Sequence, residues 1–140
     1  MEGLLEQLEY LLNEKELDLV KIKELQKILL KDHIIGLKID NYIGDYPTFM
    51  EPVILGDNVK IGDDVLIGPK VYIGSNSEIN DYAELSNCII FDNVKIGNNF
   101  KLDNCIILKN SKLDFDNFQN QNCIIDGKAV SKEGLIITPL

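Results

Sequence analysis

From residue 37 onward a single spacing governs the chain. An aliphatic or aromatic residue recurs at every sixth position through Leu37, Ile43, Phe49, Leu55, Ile61, Ile67, Ile73, Ile79 and Leu85. The step shortens to five at Ile90, returns to six for Ile96 and Leu102, shortens again at Ile107 and is six once more at Leu113. Gly44, Gly56, Gly62, Gly68, Gly74 and Gly97 follow this residue directly, with Asn80, Asp103 and Asp114 in the same place at other turns. Two places before it sits a smaller residue: Val53, Val59, Val65, Val71, Ser77, Ala83, Cys88, Val94, Cys105 or Ser111. Each unit therefore reads as a short strand with one large and one small inward side chain, closed by a turn. The Gly, Asn or Asp after the aliphatic residue is expected to tolerate φ > 0 there. Three such turns close a triangular coil, and coils stacked about 4.8 Å apart pair as parallel strands. The spacing predicts an all-β fold, a left-handed parallel β-helix of about five coils, preceded by an N-terminal α-helical segment.

Columns test that register independently. Leu55, Ile73, Ile90, Ile107 and Ile125 follow one another at intervals of 18, 17, 17 and 18 residues. They should stack on one edge of the prism. The tetrapeptide Asn-Cys-Ile-Ile begins at Asn87, Asn104 and Asn122, one coil apart each time. The five-residue steps fall one per coil, which places them at one tightened corner. Only the stretch from Asp114 to Gln121 departs from the pattern: Phe115 and Phe118 fall out of phase, Gln119 takes an inward position, and a bulged or looped coil is expected.

The first 35 residues have a different period. Leu4, Leu5, Leu8, Leu11 and Leu12 recur at helical spacing with Glu2, Glu6 and Glu9 among them. Asn13 to Glu16 should break this helix, and Asp18 should cap a second one with the apolar stripe Leu19, Ile22, Leu25, Ile28 and Leu29. Neither stripe can remain in water, so the hairpin or bent helix must cover another surface of its own domain or oligomer. The expected organisation is a helical segment over 1–35, the β-helix over 36–130 and a C-terminal tail over 131–140.

At 140 residues the chain is one domain and needs no disulfide or metal staple. Its 14 cationic side chains are all Lys, against 23 Asp and Glu, for a net charge of −9. That argues against a nucleic-acid binder, which needs a basic face. Without Arg there is no bidentate clamp for phosphate, and only Lys and backbone N–H groups remain for any anion. An odd count of three Cys fits free thiols in a reducing compartment, and the expected location is cytoplasmic. No apolar run approaches the ~20 residues of a membrane span, so no membrane partner is expected.

Residues 53 to 113, from Val-Ile-Leu-Gly-Asp-Asn-Val-Lys-Ile-Gly onward, resemble the hexapeptide-repeat superfamily. Within them, Leu85-Ser86-Asn87-Cys88-Ile89-Ile90-Phe91-Asp92-Asn93-Val94-Lys95-Ile96-Gly97 resembles the C-terminal β-helix of sugar-phosphate nucleotidyltransferases. The opening Leu4-Leu5-Glu6-Gln7-Leu8-Glu9-Tyr10-Leu11-Leu12 is similar to the helix that joins their catalytic domain to that β-helix. The family's Gly-rich nucleotide-binding motif and its later Lys-Pro pair are both missing from these 140 residues. The resemblance thus implies a non-catalytic oligomerising or regulatory β-helix, a homotrimer, and a separate nucleotidyltransferase catalytic subunit as partner. The same sequence is also consistent with the tail of a longer nucleotidyltransferase. An alternative is a hexapeptide-repeat acyltransferase, which would use acyl-coenzyme A on a sugar or sugar nucleotide and rely on a coil-borne His as general base.

The residues themselves offer little for such chemistry. The single His, His33, falls at the end of the second helix and not on a coil, so no catalytic residue is assigned. A second branch of the fold, resembling carbonic anhydrases, needs three His for zinc, so no metal ligand is assigned either. Cys88, Cys105 and Cys123 should share one interior column with Val53 and Val71 as small apolar residues. Asn87, Asn104 and Asn122 should form an amide ladder along a corner. Asp57, Asp63, Asp64, Asp81, Asp92, Asp103, Asp114 and Asp116 should solvate the turns, while Lys60, Lys70, Lys95, Lys101, Lys109 and Lys112 point outward. No cofactor is expected, and residues for binding one are not identified. Val65, Leu66, Tyr72, Tyr82, Ile89 and Ile106 include residues that the six-residue pattern leaves pointing outward, and these are expected to be covered by neighbouring chains in the trimer.

Overall fold

Because the inward residue recurs once per short strand, the chain turns three times in each coil and lays down three parallel sheet faces. A computed structural model describes residues 1–140. Its first face stacks β1 (Leu37–Lys38), β3 (Val53–Leu55), β6 (Val71–Ile73), β9 (Cys88–Ile90) and the later parts of β11 (Phe100–Ile107) and β13 (Phe118–Asp126). The second face stacks β2 (Thr48–Phe49), β5 (Leu66–Ile67), β8 (Glu84–Ser86) and the earlier parts of β11 and β13. The third stacks β4 (Lys60–Ile61), β7 (Glu78–Ile79), β10 (Lys95–Ile96), β12 (Lys112–Leu113) and β14 (Lys128–Ala129). The result is a parallel β-solenoid of about five turns. Leu55, Ile73, Ile90, Ile107 and Ile125 pair in unbroken succession, as the column intervals required. Both five-residue steps lie at the corner between the second and first faces.

The turn chemistry differs from expectation in an informative way. Among the glycines that follow the aliphatic residue, only Gly68 has positive φ. The left-handed residue is instead the one just before the small inward residue, and it is Asn at nine of twelve such non-glycine positions, among them Asn58, Asn76, Asn93 and Asn110. Asn tolerates that conformation because its short amide bonds locally. Glycine is needed for space. At Gly62 an added Cβ would lie 2.8 Å from the backbone nitrogen of Asp81 in the next coil. The carboxylate of Asp81 occupies that gap and accepts the Asp63 N–H at 2.9 Å. The same exchange continues from Asp81 N–H to Asn98 Oδ1 at 3.0 Å and from Asn98 N–H to Asp116 at 3.0 Å. A second corner repeats it through Asp57, Ser75 and Asp92. Several turn carboxylates therefore tie coil to coil, beyond solvating the surface. Gly62→Ala should cost about 1–3 kcal/mol through overpacking, read as a lower denaturant midpoint with unchanged slope.

The irregularity between Asp114 and Gln121 is a corner lengthened by one residue, and it leaves Gln119 outside. Phe118 pairs with Phe100 and is buried, whereas Gln119 is exposed opposite Lys101. The corner before Phe118 is one residue longer than the one before Phe100: Leu113 to Phe118 spans five positions, and Ile96 to Phe100 spans four. The extra residue shifts the six-residue phase by one, which is why Gln119 lies outside. Phe100, Phe115 and Phe118 fill the space with ring centroids 5.2 to 5.6 Å apart. Beyond the repeats, β15 (Ile136–Pro139) runs antiparallel along β13 and covers its open edge.

The N-terminal segment is a hairpin of α1 (Glu2–Leu12) and α2 (Leu19–Ile28), continued by a π-helical turn over Leu29–His33. Asp18 caps α2 as expected, its Oδ1 accepting Lys21 N–H at 3.2 Å. The inward stripe is rotated from the expected one: Ile22, Gln26 and Leu29 are buried, whereas Ile28 is exposed. Gln26 replaces an aliphatic residue because its amide donates to Asn104 Oδ1 at 2.8 Å, so its burial leaves no polar group unpaired. No helix is long and apolar enough to cross a membrane.

Candidate functional site

The sequence leaves two kinds of functional surface to examine: side chains with chemistry, and outward apolar residues that need a cover. The chemistry is dispersed. His33 is half-buried at the end of the π-helical turn, off the solenoid. No three His, Cys, Asp or Glu side chains converge on a common point. The three thiols are free, buried and in the column of Val53 and Val71, with Cys105 Sγ and Cys123 Sγ 3.5 Å apart. The amide ladder is only half as expected. Asn104 donates to Asn122 Oδ1 at 2.8 Å, but Asn87 turns to Asp103 at 2.9 Å, a carboxylate that also takes the Ser86 hydroxyl. Of the outward lysines, Lys95 pairs with Asp114 at 2.8 Å and Lys112 bonds Asn93.

The apolar cover is where the structure overturns the expectation. Val65 is interior, as its place two before Ile67 requires. Ile89 and Ile106 do point out of the first face, yet both are fully buried, because α1 and α2 lie across that face. Leu5, Leu8, Leu12, Ile22 and Leu29 meet Ile89, Phe91, Ile106 and Ile124 in a second core, with Tyr72 packed at its edge. The chain itself supplies the cover assigned to neighbouring subunits. Only Leu66, half-buried, and Tyr82, exposed, remain uncovered from that group. The second face is otherwise polar, with a groove of about 520 Å³ lined by Glu84, Ser86, Lys101, Asp103 and Gln121.

Three weakly acidic groups, the Tyr72 hydroxyl and the Cys105 and Cys123 thiols, are held protonated by their surroundings. Burial, followed by Asp92, Glu9 and Glu2, pushes the Tyr72 hydroxyl from 10.0 to about 12. At Cys105 the bond with Cys123 pulls downward, but the interaction with Cys88 and burial outweigh it, and the thiol is pushed from 9.0 to about 12. The Cys123 thiol is raised by its bond to Cys105 and by burial. The native state keeps protons that the unfolded chain releases. Stability is therefore full below about pH 9 and declines as the pH rises from 9 toward 12. Cys105→Val, which extends the valine column, and Tyr72→Phe should each flatten that decline in denaturant midpoints measured from neutral to alkaline pH.

With the geometry in hand, comparison with known proteins places the chain. Residues 49–139 match the model of the GMPPB C-terminal domain. No curated protein matches the chain. Among solved structures it is similar to a hexapeptide-repeat-containing acetyltransferase of Vibrio cholerae O1 biovar eltor complexed with acetyl-coenzyme A. The identity is 16%, the alignment covers 96% of this chain and 84% of that one, and the TM-score is 0.40.

Proposed function

The chain belongs to the GMPPB C-terminal domain family, and on that footing we propose that it serves as a non-catalytic tail or regulatory subunit of a sugar-phosphate nucleotidyltransferase. The observation that carries the reading is the extent of the match. It begins within β2 and runs through β15, so it takes in nearly the whole solenoid. The remaining residues, 1–48 and 140, are the helical hairpin, the first coil and the last residue, and their strands belong to the solenoid's own faces. The partner is a catalytic nucleotidyltransferase unit. The homotrimer implied by the resemblance would use the second or third face, because the helices already fill the first. Three free thiols support a reducing compartment.

The test is direct. The purified chain, supplied with a nucleoside triphosphate and a sugar 1-phosphate, should release no pyrophosphate. Added to a nucleotidyltransferase catalytic chain from the same genome, it should co-sediment with that chain and change its turnover or assembly state. Turnover by the chain alone, or absence of any complex with such an enzyme, would overturn the proposal. Sedimentation velocity of the chain alone should give a trimer, and a stable monomer would remove the assembly claim.

A further inference from the structure

One groove concentrates positive charge on a protein that is otherwise strongly acidic. It runs between α2 and the corner joining the second and first faces, with a volume of about 480 Å³. Lys23, Lys27 and Lys31 line one wall and Lys70 the other, and no Asp or Glu side chain lines it. Four of the chain's 14 lysines thus face one cleft against a net charge of −9. The one ion pair in the structure lies elsewhere, between Lys95 and Asp114, so none of the four ammonium groups is paired with a carboxylate, although the α-carboxylate of Leu140 stands at the groove's edge. Placing like charges together without counterions is unfavourable unless something brings the opposite charge.

The second observation is the backbone of Lys70. It adopts φ +60 at a corner where the succeeding coils use Asn87, Asn104 and Asn122. Of twelve left-handed non-glycine positions, only Lys70 and Tyr82 are neither Asn nor Asp. A lysine there accepts a conformation that its neighbours in the column meet with the better-suited residue, and it lines the same groove as the lysine row of the helix. The helix dipole accounts for cations near the C-terminus of α2, such as Lys27 and Lys31, but not for Lys23 or Lys70. Strain kept where the chemistry needs it is the usual mark of a functional position.

The floor completes the site. Gln26, buried, fixes Asn104 through its 2.8 Å bond, and Asn104 in turn fixes Asn122. Each amide nitrogen carries a second hydrogen that these bonds leave free. Ammonium groups and amide donors together suit an anion, and Lys23 to Lys31 extend about 12 Å along the helix at 1.5 Å per residue, more than one phosphate can bridge. No aromatic ring lines the groove, so recognition rests on charge and not on base stacking. We propose that this groove binds a ligand carrying two or more phosphoanhydride-linked phosphates, held by Lys23, Lys27, Lys31 and Lys70 over the Gln26–Asn104–Asn122 floor. It stands on the groove alone and is independent of the catalytic partner.

Titration calorimetry at low ionic strength tests it, with inorganic pyrophosphate, orthophosphate and a nucleoside diphosphate as probes. Pyrophosphate should bind once per chain, and orthophosphate about tenfold more weakly, since it loses one charge-assisted contact set. Lys70→Asn is the decisive variant, because it removes the charge while installing the residue the turn prefers. It should weaken pyrophosphate about tenfold without lowering the thermal midpoint, and Lys23→Gln with Lys27→Gln should abolish binding. Lys101→Gln on the second face should bind like the parent. A nucleoside diphosphate that binds more tightly than pyrophosphate identifies a nucleotide as the source, and equal binding identifies free diphosphate; either supports the site. Absence of pyrophosphate binding, unchanged binding in Lys70→Asn, or equal loss in Lys101→Gln would overturn it.

Discussion

Replacing Ile90 with aspartate should abolish cooperative folding. Ile90 is fully buried between Ile73 and Ile107 in the prism interior, among aliphatic side chains and with no cation in the core around it. Ionised and unpaired, that group costs several kcal/mol, and loss of the isoleucine side chain adds about 2–5 kcal/mol, against a total stability of about 5–15 kcal/mol for a domain of this size. A solenoid has an additional weakness. Each coil is held only by its neighbours, so a defect in a central coil separates the two halves of the stack. Ile90→Val, which removes one methylene and no more, should cost about 0.5–1.5 kcal/mol and retain the fold. A soluble Ile90→Asp protein with a sharp unfolding transition would refute the interior placement.

Ile106→Asp should behave differently, although Ile106 is equally buried and is the adjacent residue to Ile107. Its side chain leaves the first face outward and is covered by α1 and α2. The solenoid should therefore form, while the hairpin loses its seat. Helices of 11 and 10 residues are marginal in water on their own, so once undocked they should melt. The expected result is loss of helical ellipticity with β signal retained, and rapid proteolysis in the segment between Leu12 and Asp18. Docking should weaken by about 3–5 kcal/mol, the usual cost of placing an unpaired charge in an apolar contact. If Ile106→Asp instead unfolds the whole protein, hairpin and solenoid form one cooperative unit. If it leaves helicity unchanged, the hairpin is not seated on that strand. The same variant separates the hairpin cover from the neighbour-chain cover, because a trimer built on the first face would dissociate while its helices stayed folded.

Six-residue spacing was enough to place the parallel stack, the aliphatic column from Leu55 to Ile125, the thiol column and the shortened corner. Each of these depends on local periodicity, and a coil contacts only the coils above and below it, so periodic sequence becomes periodic contact without long-range choices. Asp18 as a helix cap was legible for the same reason, since a cap is decided within one turn. What lies over the first face was not local. Ile89 and Ile106 read as outward and apolar in either arrangement, and only the docking of a hairpin distant in sequence decides whether the same chain or another buries them. Gln26 illustrates the limit most sharply: its burial makes sense only once Asn104, 78 residues away, supplies its acceptor. The role of the glycines was likewise hidden, because the clash that excludes a Cβ at Gly62 comes from Asp81 in the next coil. Lys70 belongs to the same class. Its spacing marks it as one more turn residue, and only the approach of α2 sets it opposite Lys23, Lys27 and Lys31. The repeating unit and its stacking register are encoded locally, because they follow from side-chain alternation and turn geometry within a few residues. Tertiary structure decided which face is sealed, which turn residues bond between coils and where charge collects, because those depend on the relative placement of segments that no local pattern encodes.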